Sequence, residues 1–149
     1  MPMRLLVCLL SAFILVSACS PQPNQKPQGG SEDKKCQEVP VRHFDQEQQA
    51  IQLARKTKGV DDAVAVQIDD QLNVALKVSN FNRLRLKSIR KETFERLEKQ
   101  FPEAELHVTT DNKLYKELQE MNQKAWTNDK KKACEEKKKL KQIEEMMKG

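Results

Sequence analysis

Hydrophobic and polar residues alternate along two neighbouring stretches in the middle of the chain. In residues 64–68, valine and isoleucine alternate with alanine and glutamine, and residues 72–78 repeat the pattern with leucine and valine. Alternation with a period of two is typical of β-strands that have one buried face. The polar residues 69–71 between the two stretches predict a turn, so the whole region predicts a β-hairpin.

A helical period of three to four residues marks three further segments. Apolar residues recur at this spacing in residues 45–58, 83–101 and 111–125. Thr110 or Asp111 can cap the third of these helices. A short stretch with strand-like alternation, residues 106–109, precedes this cap and predicts a third strand.

The predicted order of elements is therefore α-β-β-α-β-α. Each helix is apolar along a single stripe, so it packs on one neighbouring surface. We expect an α+β domain over residues 44–126, in which helices cover one face of a small three-stranded sheet. A chain of 149 residues has room for one such domain rather than two.

The segment that follows the predicted domain, residues 127–149, is rich in lysine and glutamate. Leu140, Ile143 and Met147 form one weak apolar stripe, which is too short for a coiled coil. We therefore predict a lysine-rich C-terminal helix that is mostly solvated and lies outside the domain.

The N-terminus has the layout of a bacterial export signal. Arg4 precedes an apolar run, residues 5–16, that is shorter than the roughly 20 residues of a membrane-spanning helix. The end of the run leads into VSAC at residues 16–19, a sequence that resembles the lipobox of bacterial lipoproteins. The resemblance implies transfer of diacylglycerol to the Cys19 sulfur and cleavage just before it. Residues 1–18 would then be the signal peptide of a protein that is anchored at the extracytoplasmic face of the cell membrane.

The residues that follow Cys19 show no apolar periodicity. Residues 20–35 are rich in proline, glutamine, glycine and charge, a composition typical of flexible linkers. We predict that residues 19–43 form the lipidated cysteine and a tether between the lipid and the domain.

Two cysteines remain once Cys8 leaves with the signal peptide and Cys19 carries the lipid. A disulfide between Cys36 and Cys134 and a pair of free thiols both fit the sequence, and an exported location favours the bridge. A metal site made of these two thiols and the two histidines would lack the close ligand spacing of known zinc sites. We therefore expect no metal, and no cofactor other than the diacylglycerol and acyl lipid on Cys19.

The chain carries a formal net charge of +5, and the second helix concentrates cations at its N-terminal half. Cations in this position oppose the helix dipole. The placement indicates an anionic partner such as lipid headgroups or a wall polymer, and a solvated face with pairs such as Lys91–Glu95 is the alternative. Glutamates in the C-terminal segment make nucleic acid a less favoured partner. The cationic cluster consists of Arg83, Arg85, Lys87, Arg90 and Lys91.

The sequence contains no motif of the common hydrolases or nucleotide-binding enzymes, such as G-x-S-x-G, H-E-x-x-H or a phosphate-binding loop. The acidic pairs Asp61-Asp62 and Asp69-Asp70 are predicted to form strand ends and turns rather than a catalytic site. His107 alternates with apolar neighbours and is expected on the surface. We therefore predict a protein without catalytic residues that is not an enzyme.

The lipobox, the polar tether and the middle of the chain together resemble the YhcN/YlaJ family of sporulation lipoproteins from endospore-forming Gram-positive bacteria. The similarity covers residues 50–121, and its most specific part is LHVTTDNK at residues 106–113. The chain departs from the family pattern in Asn112, where a proline is common, and in its lysine-rich C-terminal segment.

This resemblance implies a lipid-anchored, non-catalytic protein of the spore or forespore membrane. It also implies a role in spore formation, germination or outgrowth, and it names no protein partner. The alternative function is that of an envelope lipoprotein that binds nucleic acid or another anionic polymer through the basic helix and the C-terminal segment.

Overall fold

The structure of the protein is a computed structural model, and it describes residues 36–148. Cys19, the predicted signal peptide and most of the predicted tether lie outside these residues. The predicted α+β class, the order of the elements and the C-terminal helix are confirmed. The elements are α1 (Phe44–Arg55), β1 (Val60–Ile68), β2 (Gln71–Val78), a 3₁₀ helix (Asn80–Arg85), α2 (Leu86–Gln100), β3 (Glu105–Thr109), α3 (Asn112–Gln123) and α4 (Lys130–Met147).

The predicted hairpin of β1 and β2 is confirmed, and its turn is two residues long, because Gln71 belongs to β2 rather than to the predicted turn of residues 69–71. Ile68 pairs with Gln71 in antiparallel register, and Asp69 in the turn has a φ of 54°. Aspartate adopts this left-handed conformation more readily than most residues, because its short polar side chain can hydrogen-bond locally. Asp69 and Asp70 are therefore turn residues, as the sequence indicates.

The third strand completes a mixed sheet in the order β1-β2-β3. β3 runs parallel to β2, with Leu106 opposite Leu72 and Val108 opposite Val74. Parallel neighbours require a crossover connection, which the 3₁₀ helix and α2 provide. The central strand β2 is continuously buried from residue 71 to residue 76.

Helices cover both faces of the sheet, so the prediction of one covered face is wrong. On the first face, Leu72 and Leu76 of β2 pack with α1 and α2. On the second face, Val66 and Ile68 of β1 pack with α3 and α4. Three strands make a sheet only about 14 Å wide, and a helix is about 10 Å across, so four helices cannot lie side by side on one face.

The C-terminal helix α4 is part of this fold. Asp129 caps its N-terminus, since the Asp129 carboxylate accepts a 3.0 Å hydrogen bond from the Lys132 N–H. Leu140 and Ile143 are buried against the second face of the sheet. The prediction that this helix lies outside the domain is therefore wrong, because a narrow apolar stripe is sufficient to attach a largely exposed helix to an uncovered sheet face.

The residues just before α1 also belong to the fold, so the predicted tether over residues 19–43 extends too far. Arg42 is buried and forms an isolated bridge with Ile68. Next to it, the Asp69 N–H donates a 2.7 Å hydrogen bond to the Val41 carbonyl. This segment pairs with part of the outer edge of β1, whose backbone groups would otherwise lack partners in the sheet.

A buried ion pair links this edge to two helices. Arg42 donates from Nε and Nη2 to the two carboxylate oxygens of Glu47, at 2.8 and 3.0 Å. Arg42 Nη1 donates to the carbonyls of Met121 and Lys124 at the end of α3, at 3.1 and 3.3 Å. Carbonyls at a helix C-terminus have no partner within the helix, so Arg42 serves as a cap for α3.

Cys36 and Cys134 form a disulfide whose Cα atoms lie 6.0 Å apart. The bridge joins the first described residue to α4, across a sequence separation of 98 residues. The sequence left this bridge and a pair of free thiols open. The disulfide leaves neither sulfur available as a thiolate ligand for a metal.

Candidate functional site

The predicted cationic cluster lies where the chain passes from β2 through the 3₁₀ helix into α2. We call residues 80–91 the basic segment. Its inner side is attached to the domain, because Ile89 is fully buried in the core and Asn82 Nδ2 donates a 3.0 Å hydrogen bond to Ser79 Oγ. The segment is therefore a defined part of the fold.

Gly59, in the connection between α1 and β1, allows the basic segment to pack closely. Its φ is 100°, a conformation that favours glycine. A Cβ atom at this position would lie 2.8 Å from Ile89 Cδ1 and 3.3 Å from Asn82 Cγ. A larger residue would therefore strain the backbone and force the Ile89 and Asn82 side chains to shift.

The five predicted cations are all exposed. Lys91 forms a loose pair with Glu95, with 3.7 Å between Nζ and Oε1. Within residues 36–148, no hydrogen bond or ion pair engages the side chains of the other four, which are Arg83, Arg85, Lys87 and Arg90. The basic segment itself contains no acidic residue. Its positive charge is therefore uncompensated within the described fold.

Two large apolar side chains stand beside these cations, and the sequence pattern did not indicate them. Phe81 is 100% exposed and Leu84 is 102% exposed, whereas the other large exposed hydrophobic residues in the described chain are roughly half exposed. Neither residue falls on the helical spacing of the buried positions in α2. The sequence could have indicated their exposure, because both residues have polar or cationic neighbours and neither belongs to a periodic row of apolar residues.

The acidic residue Asp62 acts as a structural acceptor. Partial burial raises its pKa, but the hydrogen bonds from Arg55 and from the Tyr115 hydroxyl at 2.9 Å outweigh this effect and lower the pKa below its usual value. Burial and the bond to Asp62 raise the pKa of Tyr115 to about 12. Asp62 therefore remains an anion and Tyr115 remains neutral, which suits a fixed link between β1 and α3 rather than proton transfer.

Asp69 has a similar role in the hairpin turn. Its carboxylate accepts hydrogen bonds from Lys137 Nζ at 2.6 Å and from the Val41 N–H at 2.8 Å. Desolvation raises the pKa of Asp69, and these two bonds outweigh it and lower the pKa. The turn is thereby joined to α4 and to the segment before α1.

One group of side chains in the described chain has the spacing to hold a divalent cation. Glu105, His107 and Glu144 each offer a ligand atom within 4.8 Å of the others. However, Lys148 Nζ already donates to Glu144 at 2.8 Å and neutralises it. The group lies where α4 packs on β3, and His107 Nδ1 and Glu144 Oε2 are buried there without a hydrogen-bond partner among the described residues.

His107 lies in a partly buried position rather than on the surface. The His107 side chain is only 16% exposed, and its Nε2 lies 3.8 Å from Glu144 Oε1. The prediction of a surface histidine is wrong, because α4 covers the face of β3 on which His107 lies.

A shallow cavity of about 380 Å³ lies beside the hairpin turn. Its lining includes His43, Asp69, Asp70 and Glu103, but Asp69 is already bonded to Lys137 and Val41. Among the described residues that line it, there is no serine, cysteine or lysine, and no hydrogen bond joins His43 to a carboxylate. The cavity therefore lacks the nucleophile–base arrangement of covalent catalysis.

Comparisons with known proteins do not identify a family: no protein-family model, no curated protein and no solved structure matches the chain. The YhcN/YlaJ resemblance therefore remains an expectation from the sequence. Within residues 36–148, no helix has both the length and the apolar character needed to cross a bilayer.

Proposed function

We propose that this chain is a non-catalytic, lipid-anchored protein of the bacterial envelope, attached through Cys19 to the extracytoplasmic face of the membrane. The anchor rests on the lipobox-like sequence that ends at Cys19, and the observation that indicates the partner is the basic segment. Four of its exposed cations have no partner among the described residues, and the domain follows a lipobox-like sequence. The anions closest to a lipid-anchored domain are the headgroups of its own leaflet, so we take the anionic membrane surface as the partner.

The two contacts with the membrane have different roles. An anionic leaflet attracts each nearby basic residue with about 1 kcal/mol, so four cations would contribute about 4 kcal/mol. One acyl chain gives only marginal binding, whereas two give stable attachment. The lipid therefore holds the protein at the membrane, and the basic segment determines which side of the domain faces the headgroups.

The distance between lipid and domain permits this contact. The chain from Cys19 to Cys36 can span at most about 60 Å when fully extended. A domain of this size has a radius of gyration of about 13 Å. A tether of this length would allow any face of the domain to turn toward the membrane while the lipid remains inserted.

The disulfide supports an exported location. Bridges such as Cys36–Cys134 form and persist in oxidising compartments and are rare in the cytosol. An extracytoplasmic domain would keep this bridge without a dedicated oxidant.

The link to sporulation rests on the YhcN/YlaJ resemblance alone. On that basis we propose the membrane of the spore or forespore as its location, and a binding or structural role in spore formation, germination or outgrowth.

Nucleic acid is a weaker candidate partner, because several lysines near and within α4 have partners inside the domain. Lys130 Nζ donates to the Gln37 carbonyl at 2.6 Å, and Lys137 is bonded to Asp69. Lys124 pairs with Glu136. A phosphate backbone would have to compete with these contacts.

The attachment is tested by growing a Gram-positive host with an alkyne-tagged fatty acid. Wild-type protein should incorporate the label, and Cys19→Ala should lose it completely, because the thiol is the acceptor of the lipid. Cys8→Ala is the matched control and should keep the label, since Cys8 lies in the predicted signal peptide. Labelling of the Cys19→Ala protein at the wild-type level would reject the proposal.

A further inference from the structure

We propose that Phe81 and Leu84 insert into the interfacial layer of an anionic leaflet and thereby fix the orientation of the domain on the membrane. This inference rests on the proposed function, because it needs the domain to be held at a bilayer. Phe81 and Leu84 would add an apolar contact with the membrane to the electrostatic contact that the basic segment makes with the headgroups.

The backbone places the two side chains together. Both residues belong to the 3₁₀ helix Asn80–Arg85 and are three positions apart. A 3₁₀ helix has three residues per turn, so side chains at positions i and i+3 point the same way. Phe81 and Leu84 therefore form one apolar projection rather than two separate exposures.

This projection is held in place from behind. The Asn82 N–H donates a 3.0 Å hydrogen bond to the Ser79 carbonyl, and the Asn82 side chain packs over Gly59. Ile89 is buried one turn into α2. Insertion therefore requires little additional ordering of the chain, which favours binding.

Charge and exposure point to a bilayer rather than to a protein groove. Arg83 lies between the two apolar residues, and Arg85 follows them directly. Long cationic side chains can lay their methylene stems along apolar surface and keep their charges among headgroups. Complete exposure of Phe81 and Leu84 also means that no neighbouring side chains form the packed rim that surrounds most protein–protein hot spots.

The test uses the mature, lipidated protein reconstituted into vesicles. Phe81→Trp is introduced together with Trp126→Phe, so that one tryptophan reports on the 3₁₀ helix. In vesicles that contain phosphatidylglycerol and brominated acyl chains, we expect a shift of the emission to shorter wavelength and strong quenching. In purely phosphatidylcholine vesicles with the same brominated chains, quenching should be several-fold weaker, because the cations lose their attraction to the surface.

The matched control is Met146→Trp in the same Trp126→Phe background. Met146 is 46% exposed on α4, which covers the opposite face of the sheet from α2. Its emission should remain that of a water-exposed tryptophan in both kinds of vesicle. Equal quenching at the two positions would show no preferred orientation and would overturn the inference.

A charge-reversal variant separates insertion from simple proximity. Arg83→Glu with Arg85→Glu, added to the Phe81→Trp protein, should reduce quenching in anionic vesicles to the level of the Met146→Trp control. Unchanged quenching in this variant would contradict the proposal that the cations guide the apolar pair.

The outcomes also distinguish this inference from the proposed function. A lipidated protein whose position-81 fluorophore stays in water on anionic vesicles keeps the lipid anchor but rejects insertion. If the fluorophore is protected only in native membranes, the apolar pair contacts a membrane protein instead and the inference is wrong. Failure of lipid labelling at Cys19 would remove the proposed function itself.

Discussion

Glu47→Ala should lower the free energy of unfolding by about 3–5 kcal/mol, because it leaves the buried Arg42 guanidinium without its counter-charge. The Arg42 and Glu47 side chains are only 3% and 1% exposed. Glu47 also accepts a 2.9 Å hydrogen bond from the Gln67 N–H, so its removal also leaves a buried backbone donor without a partner. Urea unfolding at neutral pH measures the loss.

Gln48→Ala is the matched control, because Gln48 is the next residue of α1 and is exposed. It should change stability by less than about 0.5 kcal/mol, the usual range for surface substitutions. A double variant, Arg42→Met with Glu47→Leu, should recover much of the loss, since a buried ion pair can often be replaced by apolar residues. Equal effects of Glu47→Ala and Gln48→Ala would contradict a structural role for the ion pair.

Loss of the disulfide is expected to be the other large effect. Removal of the bridge frees a loop of 98 residues in the unfolded chain, which should reduce stability by about 4–5 kcal/mol in the loop-entropy account. The measurement is the urea midpoint of the wild-type protein with and without a thiol reductant.

Cys36→Ser with Cys134→Ser provides the control for the reductant. This variant should unfold at the midpoint of the reduced wild-type protein, and the reductant should not change it further. A wild-type midpoint that is insensitive to the reductant under conditions that cleave the bridge would contradict the expected stabilisation.

The strands could be predicted from the sequence because their signal is local. The alternation in residues 64–68 and 72–78 reflects large side chains on one face of each strand and small or polar ones on the other, although residues 63–68 and 71–76 are buried throughout. The aspartates between the strands suit a tight turn. The cap of α3 was also visible, since Asp111 accepts hydrogen bonds from the N–H groups of Lys113 and Leu114, at 2.7 and 2.9 Å. Each of these signals depends only on residues that are close in the chain.

The second covered face could not be predicted because its signal is distributed. The antiparallel register places the large residues of β1, such as Val66, on the second face and those of β2, such as Leu72, on the first. The small residues between them look like solvent-facing positions, yet Ala65 is buried on the first face and Ala75 is buried on the second. A narrow stripe on α4 covers part of this sheet from far along the chain. Neither the strand residues nor the apolar stripe of α4 predicts this core alone, because it forms only when the two pack together.

The candidate site was predicted in part. The cationic residues of the basic segment were recognised from their position at a helix N-terminus, and the Lys91–Glu95 pair was anticipated. Phe81 and Leu84 were missed, because an apolar residue in a sequence is normally assigned to a core. The Arg42–Glu47 pair was missed as well, since charged residues just before and within a surface helix are normally solvated.

The central claim is the lipid on Cys19, and the intact mass of the protein extracted from membranes of a Gram-positive host tests it most directly. We predict a chain that begins at Cys19 and carries the added mass of a diacylglyceryl group on that residue. A protein that retains residues 1–18, or that begins at Cys19 without added lipid mass, would contradict the account.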